Sequence, residues 1–114
     1  VFGCGGERDH KRRTEMGLAA GNRADLTVIT SDNPRNEPPE KIIDEIAEAV
    51  AKTAGKYVII ADRNQALEWV IKQAQSGDII AVCGKGHETY QIIGSEKKHF
   101  DDREIITEII GREK

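Results

Sequence analysis

The sequence has few of the features that would assign it to a specialised class of protein. Two of its 114 residues are cysteine, three are histidine and 4% are aromatic. Its apolar runs are no longer than about five residues, far short of the roughly 20 that a membrane-spanning helix needs, so no membrane partner is predicted. Hydrophobic residues at 38% and charged residues at 32% are typical of one globular domain.

The sequence also lacks a basic excess and a recognisable metal-binding pattern. Its 17 Lys and Arg stand against 20 Asp and Glu, a net charge of −3, which counts against a nucleic-acid partner without excluding one. Cys4 and Cys83 each follow β-type apolar residues and precede glycine. This placement favours two reduced, buried thiols in the cytoplasm, with a disulfide as the alternative. Two cysteines and three scattered histidines have no zinc-ligand spacing, so no metal site is predicted.

Four short runs rich in β-branched residues are predicted to be strands. Their nearly continuous apolar character suits parallel strands covered on both faces. The runs are Val1–Cys4, Leu26–Thr30, Tyr57–Ala61 and Ile79–Cys83. A small hairpin is predicted further on, with Tyr90–Ile93 and Lys98–Phe100 as its strands and residues 94–97 as its turn.

Segments with apolar residues at helical spacing separate the strands. They are Arg13–Arg23, a stripe from Ile42 to Val50 after Pro38 and Pro39, a stripe from Leu67 to Ala74, and a last helix that follows Asp101 and Asp102 and ends at Gly111. This alternation predicts a Rossmann-like α/β fold, with a mainly parallel sheet, helices on both faces and a small C-terminal hairpin. Because Val1 lies directly inside a predicted strand, we expect a domain truncated at its N-terminus.

Three loops follow the carboxyl ends of the predicted strands, where ligands bind in such folds. They are residues 3–13 (loop 1), 31–38 (loop 2) and 84–89 (loop 3). Loop 1 carries four cations near a helix N-terminus, which suits a phosphate or carboxylate: Arg8, Lys11, Arg12 and Arg13. The alternative is a solvated basic turn. Since Arg8 replaces the third glycine of G-x-G-x-x-G, and GxxxxGK[ST] is missing, loop 1 is not a standard nucleotide motif.

Loops 2 and 3 add one cation and one anion that face a ligand. In loop 2, Asn33 before Pro34 is pushed to an extended conformation, so Arg35 projects from a rigid turn and can bind a carboxylate; the alternative is an Asx-turn with a surface arginine. In loop 3, Gly84 and Gly86 expose the backbone, and Glu88 suits an ammonium group, while a solvated glycine-rich loop is the alternative.

Charges of both signs around one crevice suit a zwitterionic ligand such as an amino acid. Lys85 and His87 add further charge and hydrogen-bonding capacity to loop 3. No Ser or Cys nucleophile with a matched base is visible, so covalent catalysis is not expected.

The motifs GCGGERD, KR, DNPR, GKGHE and FDDRE occur in this order between Gly3 and Glu104. In this order and separation they resemble the C-terminal domain of the Mur ligases, in particular the members that add the third residue of the peptidoglycan stem peptide. The resemblance implies a three-domain enzyme that uses ATP and Mg²⁺, bound mainly by a central domain, to activate a carboxylate as an acyl phosphate. The amine of an incoming amino acid then attacks it.

The resemblance also implies roles for individual residues. The DNPR motif corresponds to Asp32, Asn33, Pro34 and Arg35, and an arginine in it implies meso-diaminopimelate as the amino acid. Arg35 and Asn33 would hold the distal carboxylate, and Glu88 with the Gly84 carbonyl would hold the distal ammonium. The remaining implied contacts are Arg8 with a substrate carboxylate and, less directly, Lys11 and Arg12 with ATP phosphates. Glu7 stands where the family often has Asp and receives no role.

The expectation is therefore that residues 1–114 are the amino-acid-binding domain of a cytoplasmic ligase. Its partners would be meso-diaminopimelate, UDP-MurNAc-L-Ala-D-Glu and the remaining domains of the same enzyme, namely an ATPase domain and a UDP-binding domain. No catalytic residue, metal ligand or cofactor is assigned to these residues alone, and they are expected to be inactive in isolation. The competing hypothesis is a non-catalytic α/β module that binds a nucleotide or a protein partner.

Overall fold

The structure is a computed structural model that describes residues 1–85 and 87–113. Its helices and strands are α1 (His10–Arg23), β1 (Leu26–Ile29), α2 (Pro39–Ala51), β2 (Lys56–Ile59), α3 (Arg63–Gln73), β3 (Tyr90–Ile93), β4 (Glu96–His99) and α4 (Asp102–Glu113). Parallel strands alternate with helices, and an antiparallel hairpin precedes the last helix. The predicted α/β class is confirmed. Gly86, one of the two glycines predicted to expose the backbone of loop 3, lies outside the described residues.

The parallel layer is built around β1. It pairs in parallel with β2, from Leu26 opposite Lys56 to Ile29 opposite Ile59. On the other side of β1, residues 1–4 pair with it through one parallel bridge, between Phe2 and Ile29. The Phe2 amide donates to Val28 O at 3.1 Å, and Phe2 O accepts from Thr30 N at 2.9 Å. Residues 81–83 lie beyond them.

The prediction of four strands covered on both faces is wrong in three places. Residues 1–4 form a single isolated bridge rather than the predicted strand. Residues 79–83 touch Val1 through two hydrogen bonds of 2.9 Å but are not a regular strand, and Ile79 is 94% exposed. On the opposite edge, Tyr57 and Ile59 of β2 are 40% and 45% exposed. An apolar run indicates that a segment can be buried. Which face of the segment is covered depends on neighbours that are distant in sequence.

The helix boundaries differ from the predicted ones where a cap or a glycine was misinterpreted. α1 begins at His10, earlier than Arg13, because the Asp9 side chain accepts from Lys11 N at 2.9 Å and caps the helix there. α4 continues through Gly111 to Glu113. Open space surrounds the Cβ position of Gly111, so this glycine is an ordinary helical residue rather than the predicted terminus.

The hairpin is present, with its second strand two residues earlier than predicted. Tyr90 pairs with His99 and Ile93 with Glu96, which leaves a two-residue turn that begins at Gly94 with φ +63°. Loop 2 docks on its first strand: Arg35 N donates to Ile92 O at 3.1 Å, and Gly94 N donates to Arg35 O at 2.6 Å. The hairpin thereby becomes one wall of the site.

Apolar residues are buried on α3 and α4 (Ala66, Leu67 and Ile109). A hydrophobic cluster lies where α1 and α2 cover β1 and the first residues of the chain. It consists of Phe2, Cys4, Ile29, Ile42, Ile43, Ile46, Ala47 and Val50, with Met16 and Ala20 packed against it. α1 approaches α2 closely because Gly17 has no side chain: a Cβ there would lie 2.8 Å from Ile46 O.

The two cysteines are both free, as predicted, but they differ in environment. Cys4 is buried, and burial raises the pKa of its thiol to about 11. Cys83 is exposed, so the prediction of two buried thiols is wrong for it. Among the helices described, none combines the length and apolar character needed to cross a bilayer.

Candidate functional site

Loops 1, 2 and 3 meet at the carboxyl ends of the parallel segments. Loop 1 contacts loop 2 through Gly6, whose N–H donates to Asn33 O at 2.7 Å and whose carbonyl accepts from Arg35 Nη1 at 3.0 Å. A Cβ on Gly6 would collide with the Pro34 carbonyl, so the two backbones touch. Loop 2 contacts loop 3 through the Asn33 side chain, whose Nδ2 donates to Glu88 Oε1 at 3.4 Å. The three loops thus form one surface.

Arg35 is held in a conformation that the chain does not adopt freely. Its φ is +54°, in the left-handed region that non-glycine residues rarely occupy. The two backbone hydrogen bonds to the hairpin hold it there. Its half-buried side chain donates to Gly6 O and, at 3.4 Å, to Asn33 O. Both of these partners are neutral carbonyl oxygens, so the charge of the guanidinium is open to an anionic ligand.

Asn33 lies between the cation and the anion of the site. It is 4% exposed, and its Oδ1 accepts from Ile92 N at 2.9 Å and from Lys85 Nζ at 3.4 Å. Both acceptor positions of the amide oxygen are therefore used, and the amide nitrogen turns toward Glu88. The carboxylate of Glu88 is itself 35% exposed and accessible to a ligand.

Lys85 is the central residue of loop 3, and sequence reasoning missed its position. Its side chain is fully buried, and its Nζ donates to Tyr90 O at 2.6 Å. Asp32 Oδ1 lies 3.1 Å from Nζ in an ion pair whose geometry is not that of a hydrogen bond. The rings of Tyr90 and Phe100 lie 6.0 and 5.8 Å away. No pattern in GKGHE distinguishes this lysine from a solvated one.

The remaining predicted residues lie around this surface. Gly84, at φ +108°, lies beside Asp32, whose Oδ2 is 3.8 Å from the Cβ position of the glycine. Arg8 and Arg12 are exposed on the loop 1 side, and Lys11 is exposed with Glu15 4.0 Å away. The structure brings Asp32, Asn33, Pro34, Arg35, Gly84 and Glu88 together, and it leaves Arg8, Lys11 and Arg12 at the solvent-facing margin.

Arg13 does not face a ligand, contrary to its grouping with the other cations of loop 1. It is fully buried, and its Nη2 donates to Glu37 Oε1 at 2.8 Å and to Gly5 O at 3.1 Å. Its Nη1 donates to Glu45 on α2. This arginine ties loop 1 to loop 2 and α2 instead of offering charge to a substrate.

These contacts shift the acidity of both carboxylates. The hydrogen bond from Arg13 lowers the pKa of Glu37 to about 2, and the Glu7 amide, which donates to Glu37 Oε1 at 2.6 Å, adds to the effect. Burial opposes ionisation of Glu45, but hydrogen bonds from Arg13 and His10 outweigh it, and the pKa of Glu45 is lowered.

We expect Glu37 to make the fold acid-sensitive. A folded-state pKa of about 2, below the ordinary 4.5, means that the ionised carboxylate stabilises the fold fully above about pH 4.5 and progressively less as the pH falls toward 2. Glu37→Gln should therefore lower the urea midpoint at pH 7 and approach the wild type at pH 3. Glu48→Gln, on the exposed side of α2, is the control. A constant difference between variant and wild type from pH 7 to pH 3 would contradict the assignment.

Arg63 anchors the beginnings of loops 2 and 3, and the sequence analysis assigns no role to it. Its Nε and Nη2 each donate to an Asp102 oxygen at 2.8 Å. Its Nη1 donates to Ser31 O at 3.0 Å and its Nη2 to Cys83 O at 3.2 Å. The two carbonyls are those at which loops 2 and 3 begin, so one buried guanidinium fixes both loops to α4.

A larger opening lies away from the three loops. This groove of about 630 Å³ runs along the amino ends of the parallel segments, lined by Leu26, Val70, Ile79 and Ile80 among others. Arg23, Asp25 and Asp78 border this mainly apolar groove. In the described part of the chain, no cluster of three His, Cys, Asp or Glu side chains could hold a metal ion.

Comparison with known proteins adds an independent line of support. The family model described as "Mur ligase, glutamate ligase domain" matches residues 1–86. A protein of Caldanaerobacter subterraneus subsp. tengcongensis named UDP-N-acetylmuramoyl-L-alanyl-D-glutamate--2,6-diaminopimelate ligase is 50% identical over 111 residues, 97% of this chain and 23% of that protein. A protein of the same name from Trichormus variabilis is 54% identical over 104 residues, 91% of this chain and 21% of that protein.

A solved structure of a protein with this name superposes with a TM-score of 0.89 at 40% identity. It covers 99% of this chain and 23% of the solved one. The chain thus spans less than a quarter of the length of the relatives that it matches.

Proposed function

The chain belongs to the Mur ligase family, and we propose that it is the amino-acid-binding C-terminal domain of a ligase that joins meso-diaminopimelate to UDP-MurNAc-L-Ala-D-Glu in peptidoglycan precursor synthesis. The observation that carries this proposal is the meeting of Arg35, Asn33 and Glu88 on one surface. It offers a cation, an amide and an anion to a small doubly charged ligand. The names of the relatives support the same substrate.

The distal end of diaminopimelate carries a carboxylate and an ammonium group. Arg35 and Asn33 receive the carboxylate, and Glu88 with the carbonyl of Gly84 receives the ammonium. Pro34 keeps the arginine on a rigid turn, and Arg8 at the solvent-facing margin binds a further substrate carboxylate. Lysine lacks the distal carboxylate, so it leaves Arg35 desolvated without a partner, which is costly.

In this proposal the chain contributes binding and orientation rather than a catalytic group. It aligns the amine of the amino acid toward the carboxylate of the UDP-linked substrate. ATP, with Mg²⁺, supplies the phosphoryl group that activates this carboxylate. Both are bound mainly by the central domain of the enzyme in this proposal. Lys11 and Arg12, which are exposed, approach the ATP phosphates. Use of ATP and a nucleotide-linked substrate supports a cytoplasmic location.

The test is a ligase assay on the full-length enzyme with ATP, UDP-MurNAc-L-Ala-D-Glu and meso-diaminopimelate. We expect phosphate release and a product whose mass increases by one diaminopimelate residue, and no turnover by the 114-residue chain alone. Glu88→Gln removes the charge that meets the distal ammonium, worth about 1.5–3 kcal/mol, so KM for diaminopimelate should rise about 10- to 100-fold.

The matched control is Glu96→Gln, which changes a glutamate whose side chain is 70% exposed on the hairpin and should leave KM unchanged. Absence of a diaminopimelate-dependent product from the full-length enzyme would overturn the proposal. Turnover by the isolated chain would show that a complete active site lies within these residues.

A further inference from the structure

We propose that Lys85 determines amino-acid specificity by setting the charge that the pocket presents to the distal end of the substrate. The inference rests on the proposed function and extends it to a residue outside the surface that touches the ligand. Lys85 acts through Asp32, Asn33 and Glu88, so it is a positioning residue.

The Lys85 ammonium lies among the acceptors of the site and is hidden from solvent. Its side chain is 0% exposed, and Nζ is 3.1 Å from Asp32 Oδ1 and 4.0 Å from Glu88 Oε1. Its hydrogen bond to Tyr90 O anchors it to the hairpin. In an environment with little water, charges at these distances interact strongly.

The charge count explains what the lysine does. Asp32 and Glu88 together carry two negative charges, and Lys85 cancels one of them. One net negative charge then faces the substrate ammonium, and Arg35 supplies one positive charge for the distal carboxylate. This balance suits an end group with no net charge, as in diaminopimelate. Without Lys85 the surface is one unit more negative and suits a singly cationic end, as in lysine.

Lys85 also orients the Asn33 amide. Asn33 Oδ1 accepts from Lys85 Nζ and from Ile92 N, and a rotated amide would place its NH₂ against both donors. This arrangement keeps Nδ2 directed at Glu88. A neutral side chain at position 85 removes one of the two donors that enforce it.

A purely structural role requires a donor to Tyr90 O but does not require a full positive charge. The ammonium lies near two aromatic rings, Tyr90 and Phe100, where an apolar side chain of similar length would also pack. Burying an ion costs desolvation that a hydrophobic residue avoids. The cation is therefore best explained by the carboxylates that it balances.

The experiment is a competition assay on the full-length enzyme, with meso-diaminopimelate and L-lysine at equal concentrations and the two products counted by mass spectrometry. In Lys85→Met we expect the ratio of diaminopimelate product to lysine product to fall about tenfold, since one unit of charge is lost at close range. KM for ATP should not change. Lys72→Met, at an exposed lysine of α3, is the control.

Asp32→Asn tests the same idea in the opposite direction and does not depend on Lys85→Met folding. It makes the surface one unit more positive, so the product ratio should rise. Lys85→Met/Asp32→Asn restores the net charge and should return the ratio toward that of the wild type.

Equal loss of both products in Lys85→Met, or shifts of the same sign in Lys85→Met and Asp32→Asn, would show a structural role and overturn the inference. A wild-type enzyme that does not use diaminopimelate at all would instead overturn the proposed function. The two failures are therefore distinguishable.

Discussion

Arg35→Gln in the full-length enzyme should lower kcat/KM for meso-diaminopimelate by about 100- to 1,000-fold. The guanidinium donates to the carbonyl oxygens of Gly6 and Asn33, and under the proposed function its charged partner is the distal carboxylate. Losing a desolvated, charge-assisted pair costs about 3–4 kcal/mol, which corresponds to this factor. Glutamine does not relieve the left-handed backbone at this position, but it is shorter than arginine. The variant therefore removes the charge together with the hydrogen bonds to Gly6 O and Asn33 O.

Comparing KM for diaminopimelate with KM for ATP distinguishes a loss of amino-acid recognition from a general loss of structure. KM for ATP should stay within about twofold, and Arg35→Lys should fall between wild type and Arg35→Gln, since an ammonium keeps the charge but not the planar fork. Arg112→Gln, at an exposed position of α4, is the matched control. Equal losses for diaminopimelate and ATP would mean that Arg35 only maintains loop 2.

Arg63→Met should be the most destabilising of these substitutions, by about 3–5 kcal/mol. It leaves Asp102, whose side chain is 9% exposed, as a buried carboxylate without its bidentate partner. It also removes the donor to Ser31 O and Cys83 O. Such a loss is a large part of the stability of a domain of this size. Urea unfolding of the 114-residue chain, followed by circular dichroism, measures it.

A double variant keeps this prediction testable if Arg63→Met alone does not fold. Arg63→Met/Asp102→Leu removes both charges, so it should be more stable than Arg63→Met alone. Arg103→Met, at a neighbouring arginine whose side chain is 69% exposed, should change stability little. Additive effects of the two substitutions would show that Arg63 and Asp102 do not depend on each other.

The sequence predicts those parts of the fold that local patterns specify. The apolar stripe of Ile42, Ile46 and Val50 predicts α2, and all three side chains are buried. The strand ends place loops 1, 2 and 3 at one edge, because parallel strands share a carboxyl edge. The prediction of a strand over residues 79–83 is wrong because an apolar run carries no information about which segment pairs with it.

In the site, too, residues specified by local sequence are predicted and residues specified by distant contacts are not. Arg35 and Glu88 follow from turn chemistry and charge type. Lys85 and the Arg63–Asp102 pair do not, since Lys85 contacts Asn33 from 52 residues away and Arg63 contacts Asp102 across 39. Such long-range pairing is decided by tertiary packing. The same holds for Arg13, whose burial depends on carboxylates of loop 2 and α2.

The bridge between Arg35 and Ile93 has a consequence for engineering substrate scope. The backbone of Arg35 is hydrogen-bonded to the hairpin. If Arg35 binds the substrate as proposed, a DNPR segment moved into another ligase would bring its guanidinium to the right place only together with a hairpin of matching shape. Residues 31–38 and 90–99 would therefore have to be exchanged together between ligases.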